Sequence, residues 1–142
     1  MTPKERARLA SIYQSDGMAA STPQKLVVLM FERINLDLER AIVAIDARHV
    51  EAAHRALLNA QDIVFELQMA LDLEVWPDGA ELASIYDYLL GMLVDANLKK
   101  SAEMVRKCLD IVSPLTDSWG EAYRLIQRGE APPVPAALSV VR

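Results

Sequence analysis

From Thr22 onward, apolar residues recur every three or four positions, the spacing of a single helix face. The first such stripe is Val27, Met30, Phe31, Ile34, Leu38, Ile42 and Ile45. A second apolar line, Leu29, Leu36 and Val43, falls roughly opposite, flanked by Glu32 and Glu39. Thr22 offers an N-cap oxygen and Pro23 suits the first helical position, so a helix is predicted from there to about Arg48. A second helix is predicted over roughly Val50 to Leu73. Its main stripe is Ala53, Ala56, Leu57, Ala60, Ile63, Val64, Leu67 and Leu71, while Leu58, Phe65 and Met69 fall on another face. Glu74 to Gly79, with Trp76, Pro77 and Gly79, breaks the pattern.

Asp78 and Glu81 have the spacing of a capping box for a third helix running to about Lys100. Leu82, Ile85, Leu89, Met92, Leu93 and Ala96 form its stripe. Ala83, Leu90, Val94 and Leu98 widen that stripe until only Ser84, Asp87, Gly91 and Asp95 form a polar strip. Ser101 is placed to cap a fourth helix from Ala102 to about Gln127, with Val105, Cys108, Val112, Leu115, Trp119, Tyr123 and Ile126 on one face. Pro114 is expected to kink or interrupt it near Ser113. Gly129 is a C-terminal stop.

No strand alternation competes. The expected architecture is all-α: an antiparallel four-helix bundle over residues 22–128. Residues 1–21 read as a flexible leader with apolar spots at Leu9, Ile12 and Tyr13. Residues 129–142, with Pro132, Pro133 and Pro135, read as a disordered Pro-rich tail.

Three of these helices carry more apolar surface than one four-helix core can bury. A bundle helix needs one apolar stripe. Isolated exposed apolar residues are ordinary, but spare stripes on three helices point to a second surface. It is expected to meet either a partner's amphipathic helices or a sister subunit in a self-associating bundle.

Composition narrows the choice. The 142 residues are 52% apolar, enough for one domain with a full core. Formal net charge is −5, which argues against nucleic acid and against an anionic membrane surface. The longest strictly apolar run, Leu26 to Phe31, is far too short to span a bilayer, and no signal-peptide pattern follows Lys4, Arg6 and Arg8. Cys108 is the single cysteine, compatible with a reducing cytoplasm, where the chain is expected to reside.

Candidate chemistry is thin. Glu51 and His54 have a Glu-x-x-His spacing known from di-iron bundles, but there is one copy and both fall off the core stripe. They read as a solvated face. His49 reads as an ordinary polar residue at a helix start. Cys108 lies on a core stripe and reads as a buried thiol. No catalytic constellation, metal site or cofactor site is expected, and the chain reads as a binding protein rather than an enzyme.

Several segments, in order, resemble the flagellar secretion chaperone family FliS. Tyr13 precedes Ala-Ser-Thr-Pro-Gln-Lys-Leu-Val-Val-Leu-Met-Phe-Glu-Arg (Ala20 to Arg33), similar to the family's S/T-P-x-x-L opening of the first helix. Ala56-Leu57, Ala60-Gln61-Asp62-Ile63 and Glu66-Leu67 resemble its second helix. Leu82-Ala83-Ser84-Ile85-Tyr86-Asp87-Tyr88-Leu89-Leu90, then Leu93 and Ala96-Asn97-Leu98-Lys99, resemble its Tyr-Asp-Tyr block and the A-N-hydrophobic segment after it. Trp119 also fits. Gly91 and Met92 stand where members often carry basic residues, Pro114 interrupts the fourth helix pattern, and Trp76-Pro77 replaces a Gly-rich connection.

The resemblance implies a small helical bundle that binds the disordered C-terminal region of flagellin in the cytoplasm. It implies that the bundle prevents premature filament assembly and supports delivery to the flagellar type III export gate. Some members are also linked to an anti-sigma factor. Combined with the spare stripes, it makes Leu58, Phe65 and Met69 the expected flagellin-binding residues of the second helix, beside Leu90 and Val94 of the third. Tyr86 and Asn97, close together on the wheel, are candidates for an amphipathic rim. A core tyrosine and a helix-end polar residue are the plainer readings of these two. Ile12 and Tyr13 are the candidate leader plug of the empty groove.

Overall fold

The computed structural model describes residues 3–4 and 22–130. Four α-helices occupy the second of these ranges: α1 (Pro23–Asp46), α2 (Val50–Ala70), α3 (Ala80–Lys99) and α4 (Ala102–Gln127). A 3-10 turn, Pro77–Gly79, leads into α3. No strand occurs among the described residues. The helices form an antiparallel bundle in which α1 packs against α2 and α4, and α3 closes the ring against the same two.

Local chemistry explains most helix ends. The Thr22 hydroxyl accepts from the Lys25 amide at 3.0 Å, ahead of Pro23. The Ser101 hydroxyl accepts from the Met104 amide at 3.2 Å. At the end of α4, Gly129 takes a positive φ of 76°. Its amide donates to Ile126 O at 3.0 Å and the Glu130 amide donates to Leu125 O at 2.8 Å, the paired bonds of a Schellman stop. Arg48 fills the same role after α1 with φ 61°, donating to Ile45 O while His49 donates to Ala44 O.

Four sequence expectations need correction. Helix α2 ends at Ala70, not Leu73, because Leu71 turns extended and the Asp72 carboxylate accepts the Glu74 amide at 3.0 Å, which starts a turn instead. The Asp78–Glu81 capping box does not form. The 3-10 turn runs straight into α3, so Asp78 already lies in helical backbone and Gly79 holds the cap position without a side-chain bond. Gly79 is needed there because a Cβ would stand 2.8 Å from the Trp76 ring. Pro114 does not interrupt α4. Core residues on both sides of it, Val112 and Trp119, hold the helix in place. Leu29, assigned to the spare line of α1, is buried, while Leu36 and Val43 on that line are exposed.

The core is continuous across all four helices. Met30, Phe31, Ile34 and Leu38 of α1 meet Leu57 and Ile63 of α2, Leu89 and Leu93 of α3, and Val105 and Cys108 of α4. Phe31 stacks on Trp119 with ring centroids 5.7 Å apart and planes inclined 20°. Beside that stack, Asn35 donates to Phe31 O at 3.0 Å and to Thr116 Oγ1, and accepts from Ser113 Oγ at 2.9 Å. The amide thereby ties α1 to α4.

Candidate functional site

The spare apolar residues of α2 and α3 gather along the seam between these two helices. Two side-chain bonds mark its register. Asn97 Nδ2 meets His54 Nδ1 at 3.0 Å near one end, and Gln68 Nε2 donates to Asp87 Oδ1 near the other. On α2, Leu58 and Phe65 lie between the two bonded positions, and Met69 follows Gln68. On α3, Leu90 and Val94 lie between Asp87 and Asn97. Helical spacing puts each set on the side turned toward the other helix.

All five apolar residues remain accessible to different degrees. Phe65 is 50% exposed, Met69 55%, Val94 43% and Leu58 41%. Leu90 is partly buried and packs on the core from outside. Leu98 continues the same line of α3 and is the most exposed large apolar residue described, at 79%. Tyr88 is also exposed, on the far side of α3. This is a run of exposed apolar surface bordered by polar bonds.

Two site residues stand elsewhere than on a rim. Tyr86 is 2% exposed and belongs to the core, where burial pushes its hydroxyl well above the ordinary tyrosine pKa. Asn97 is also buried. Its Oδ1 accepts from Lys100 Nζ at 2.7 Å, which leaves Nδ2 to donate to His54 Nδ1. The same ammonium donates to Asn97 O at 2.6 Å, so Lys100, at φ 49°, is held over the end of α3. Asn97 therefore fastens α2, α3 and the turn into α4, with its hydrogen-bonding groups already engaged. The plainer reading of each residue is the one the packing follows. Ile12 and Tyr13 lie outside the described residues.

His54 is exposed, as the sequence predicts, and in addition anchors α2 in this seam through Asn97. Only knowledge of which helix lies opposite reveals that. Cys108 is enclosed, and burial raises its thiol pKa to about 11. Among the described residues, no group of three or more His, Cys, Asp or Glu side chains is arranged to hold a metal ion, and no helix is long and apolar enough to cross a membrane.

Residues 6–125 match the family model described as flagellar protein FliS. A Bacillus subtilis protein named flagellar secretion chaperone FliS is 27% identical over 112 residues, spanning 79% of this chain and 84% of its own. Its Salmonella typhimurium namesake is 27% identical over 112 residues, with 78% and 83% covered. The Campylobacter jejuni protein of the same name is 26% identical over 112 residues, with 78% and 88% covered.

Proposed function

This chain belongs to the FliS family of flagellar proteins, and from that we propose that it is an export chaperone binding the disordered C-terminal segment of flagellin in the α2/α3 seam. In this reading the segment folds into amphipathic helix on contact. It presents apolar residues at i, i+3, i+4 and i+7 to Leu58, Phe65, Met69, Leu90 and Val94. Sequestering it in the cytoplasm prevents premature polymerisation and keeps flagellin ready for the type III export gate. When flagellin is absent, Ile12 and Tyr13 of the leader occupy part of the groove.

The observation that carries this reading is the half-exposed state of Phe65 and Met69 in a helix whose opposite face is fully packed. Magnitudes decide how far the client must extend. Complete burial of a large apolar side chain gains about 1.5–3 kcal/mol, so half-exposed ones gain on the order of 1 kcal/mol each. Four such residues, with Leu90 adding less, give about 4–5 kcal/mol, near the lower range of association and ordering costs. A client confined to this seam binds weakly. A client that continues past Leu98 gains more, which fits a long segment wrapped on the bundle.

Titration of a flagellin C-terminal fragment into Phe65→Asp and Leu90→Asp by calorimetry tests the groove. Binding is expected to disappear while far-UV helicity persists. Two folded variants that bind as the parent does would remove these residues from the site. Light scattering tests the function itself. A stable dimer that ignores the fragment would replace the chaperone reading with a self-associating bundle. Tyr13→Ala is expected to change fragment affinity and leave the melting temperature in place.

A further inference from the structure

The cavity between α1 and α2 is chemically unlike the apolar seam. It measures about 440 Å³ and is lined by Arg33, Asp37 and Arg40 of α1 and by Arg55 and Asn59 of α2. The small side chains of Ala52 and Ala56 leave the room for it. Asp37 is 2% exposed and already committed. Arg33 Nε donates to its Oδ1 at 3.2 Å, and Asn59 Nδ2 donates to its Oδ2 at 2.6 Å. Arg40 and Arg55 are exposed and donate no hydrogen bond among the described residues, while the Arg40 charge also acts on Asp37 and draws its pKa down.

Two exposed guanidinium groups thus line this cavity in a chain whose formal net charge is −5, with acidic side chains outnumbering basic ones 20 to 15. Arg40 also lines a second hollow of about 310 Å³ with Leu36, Glu39, Val43, Ala44 and His49. Leu36 and Val43 are exposed there. The two cavities meet at Arg40, so a cationic pocket passes directly into an apolar patch. Guanidinium pairs recognise carboxylates with charge-assisted, often bidentate hydrogen bonds. A neighbouring apolar patch selects a carboxylate carried on a chain with apolar residues beside it, rather than a free anion.

We propose that the α1/α2 cavity is a second docking site, in which Arg40 and Arg55 hold a carboxylate of an acidic peptide segment whose adjacent apolar side chain rests on Leu36 and Val43. It lies on the opposite edge of α2 from Phe65 and stands independently of the flagellin reading. Its occupant is an acidic segment of a partner protein, drawn by charge opposite to the pocket's own.

Fluorescence anisotropy with a labelled peptide alternating leucine with glutamate tests this, against a twin in which every glutamate is glutamine. The parent chain is expected to bind the acidic peptide and not the twin, more weakly as salt rises. The double variant Arg40→Glu/Arg55→Glu is expected to lose on the order of tenfold or more in affinity at unchanged helicity. Arg40→Gln/Arg55→Gln, which removes charge without reversing it, is expected to fall between. Equal binding of both peptides, or undiminished binding by the double variant, would overturn the proposal. So would displacement of the peptide by inorganic phosphate beyond that caused by chloride of equal ionic strength, which would make this a phosphate site. Phe65→Asp is expected to leave acidic-peptide affinity unchanged, so a failure of the α2/α3 reading remains distinguishable from a failure here.

Discussion

The α1/α4 seam is closed, whereas the α2/α3 seam, which joins the two more apolar helices, is open. Between α1 and α4, Phe31 stacks on Trp119 and Asn35 bonds to both Ser113 and Thr116. Large apolar groups there point inward, and Ile126 near the C-terminal end of α4 is the one exposed large apolar residue of that helix. Between α2 and α3 the polar bonds sit toward the ends of the contact, and Leu58, Phe65, Met69 and Val94 stay half in solvent. The same residue types are thus sealed on one side and left half in solvent on the other. What separates them is whether a neighbouring helix covers the second stripe.

Substitutions can break this contrast. Trp119→Ala removes the stacked ring from the closed seam and is expected to destabilise by about 3–5 kcal/mol, lowering the melting temperature by on the order of 10 °C. Differential scanning calorimetry checks it, and a loss below about 1 kcal/mol would mean the seam is no spine. Asn35→Ala strips partners from Ser113 and Thr116 and is expected to cost about 1–3 kcal/mol in urea unfolding.

The α1/α2 seam is intermediate, with Asp37 buried but partnered. Desolvation raises its pKa above 3.8, outweighing Arg33, Asn59 and Arg40, which pull it down. A carboxylate with a raised folded pKa binds more protons folded than unfolded. Its contribution to stability therefore falls as pH rises from 3.8 through the folded value. Urea unfolding of Asp37→Asn over that window is expected to show a less negative slope with pH than the parent. An unchanged slope would move the titration elsewhere. The smallest effect is expected at the open seam. Phe65→Ala is predicted to alter stability by no more than about 0.5 kcal/mol. A loss on the scale of Trp119→Ala would make the groove part of the core.

Helix number, the Thr22 and Ser101 caps, the Gly129 stop and the outward placement of Leu58, Phe65 and Met69 were legible because each depends on neighbours within about a turn. Tyr86 and Asn97 were harder. A wheel orders residues around one axis but does not say where the adjacent helix covers the boundary, and both lie on the covered side. The Asp78–Glu81 spacing matched a cap, but Pro77 had already begun a tighter turn. Arg33, Asp37, Arg40, Arg55 and Asn59 carry no motif at all. Their grouping exists only once α1 and α2 are in register, so charge spacing along either helix alone cannot announce it. The family signal arose from order across segments, which is why it was readable where single contacts were not.

Cys108 has a practical consequence. It is the single sulfhydryl of the chain and is fully enclosed, with burial raising its pKa to about 11. An alkylating reagent at neutral pH reaches it only when α4 swings away from the other helices. The rate at which unmodified protein disappears is then a built-in clock for the opening of the bundle, and a client that braces the fold should make that clock run slow.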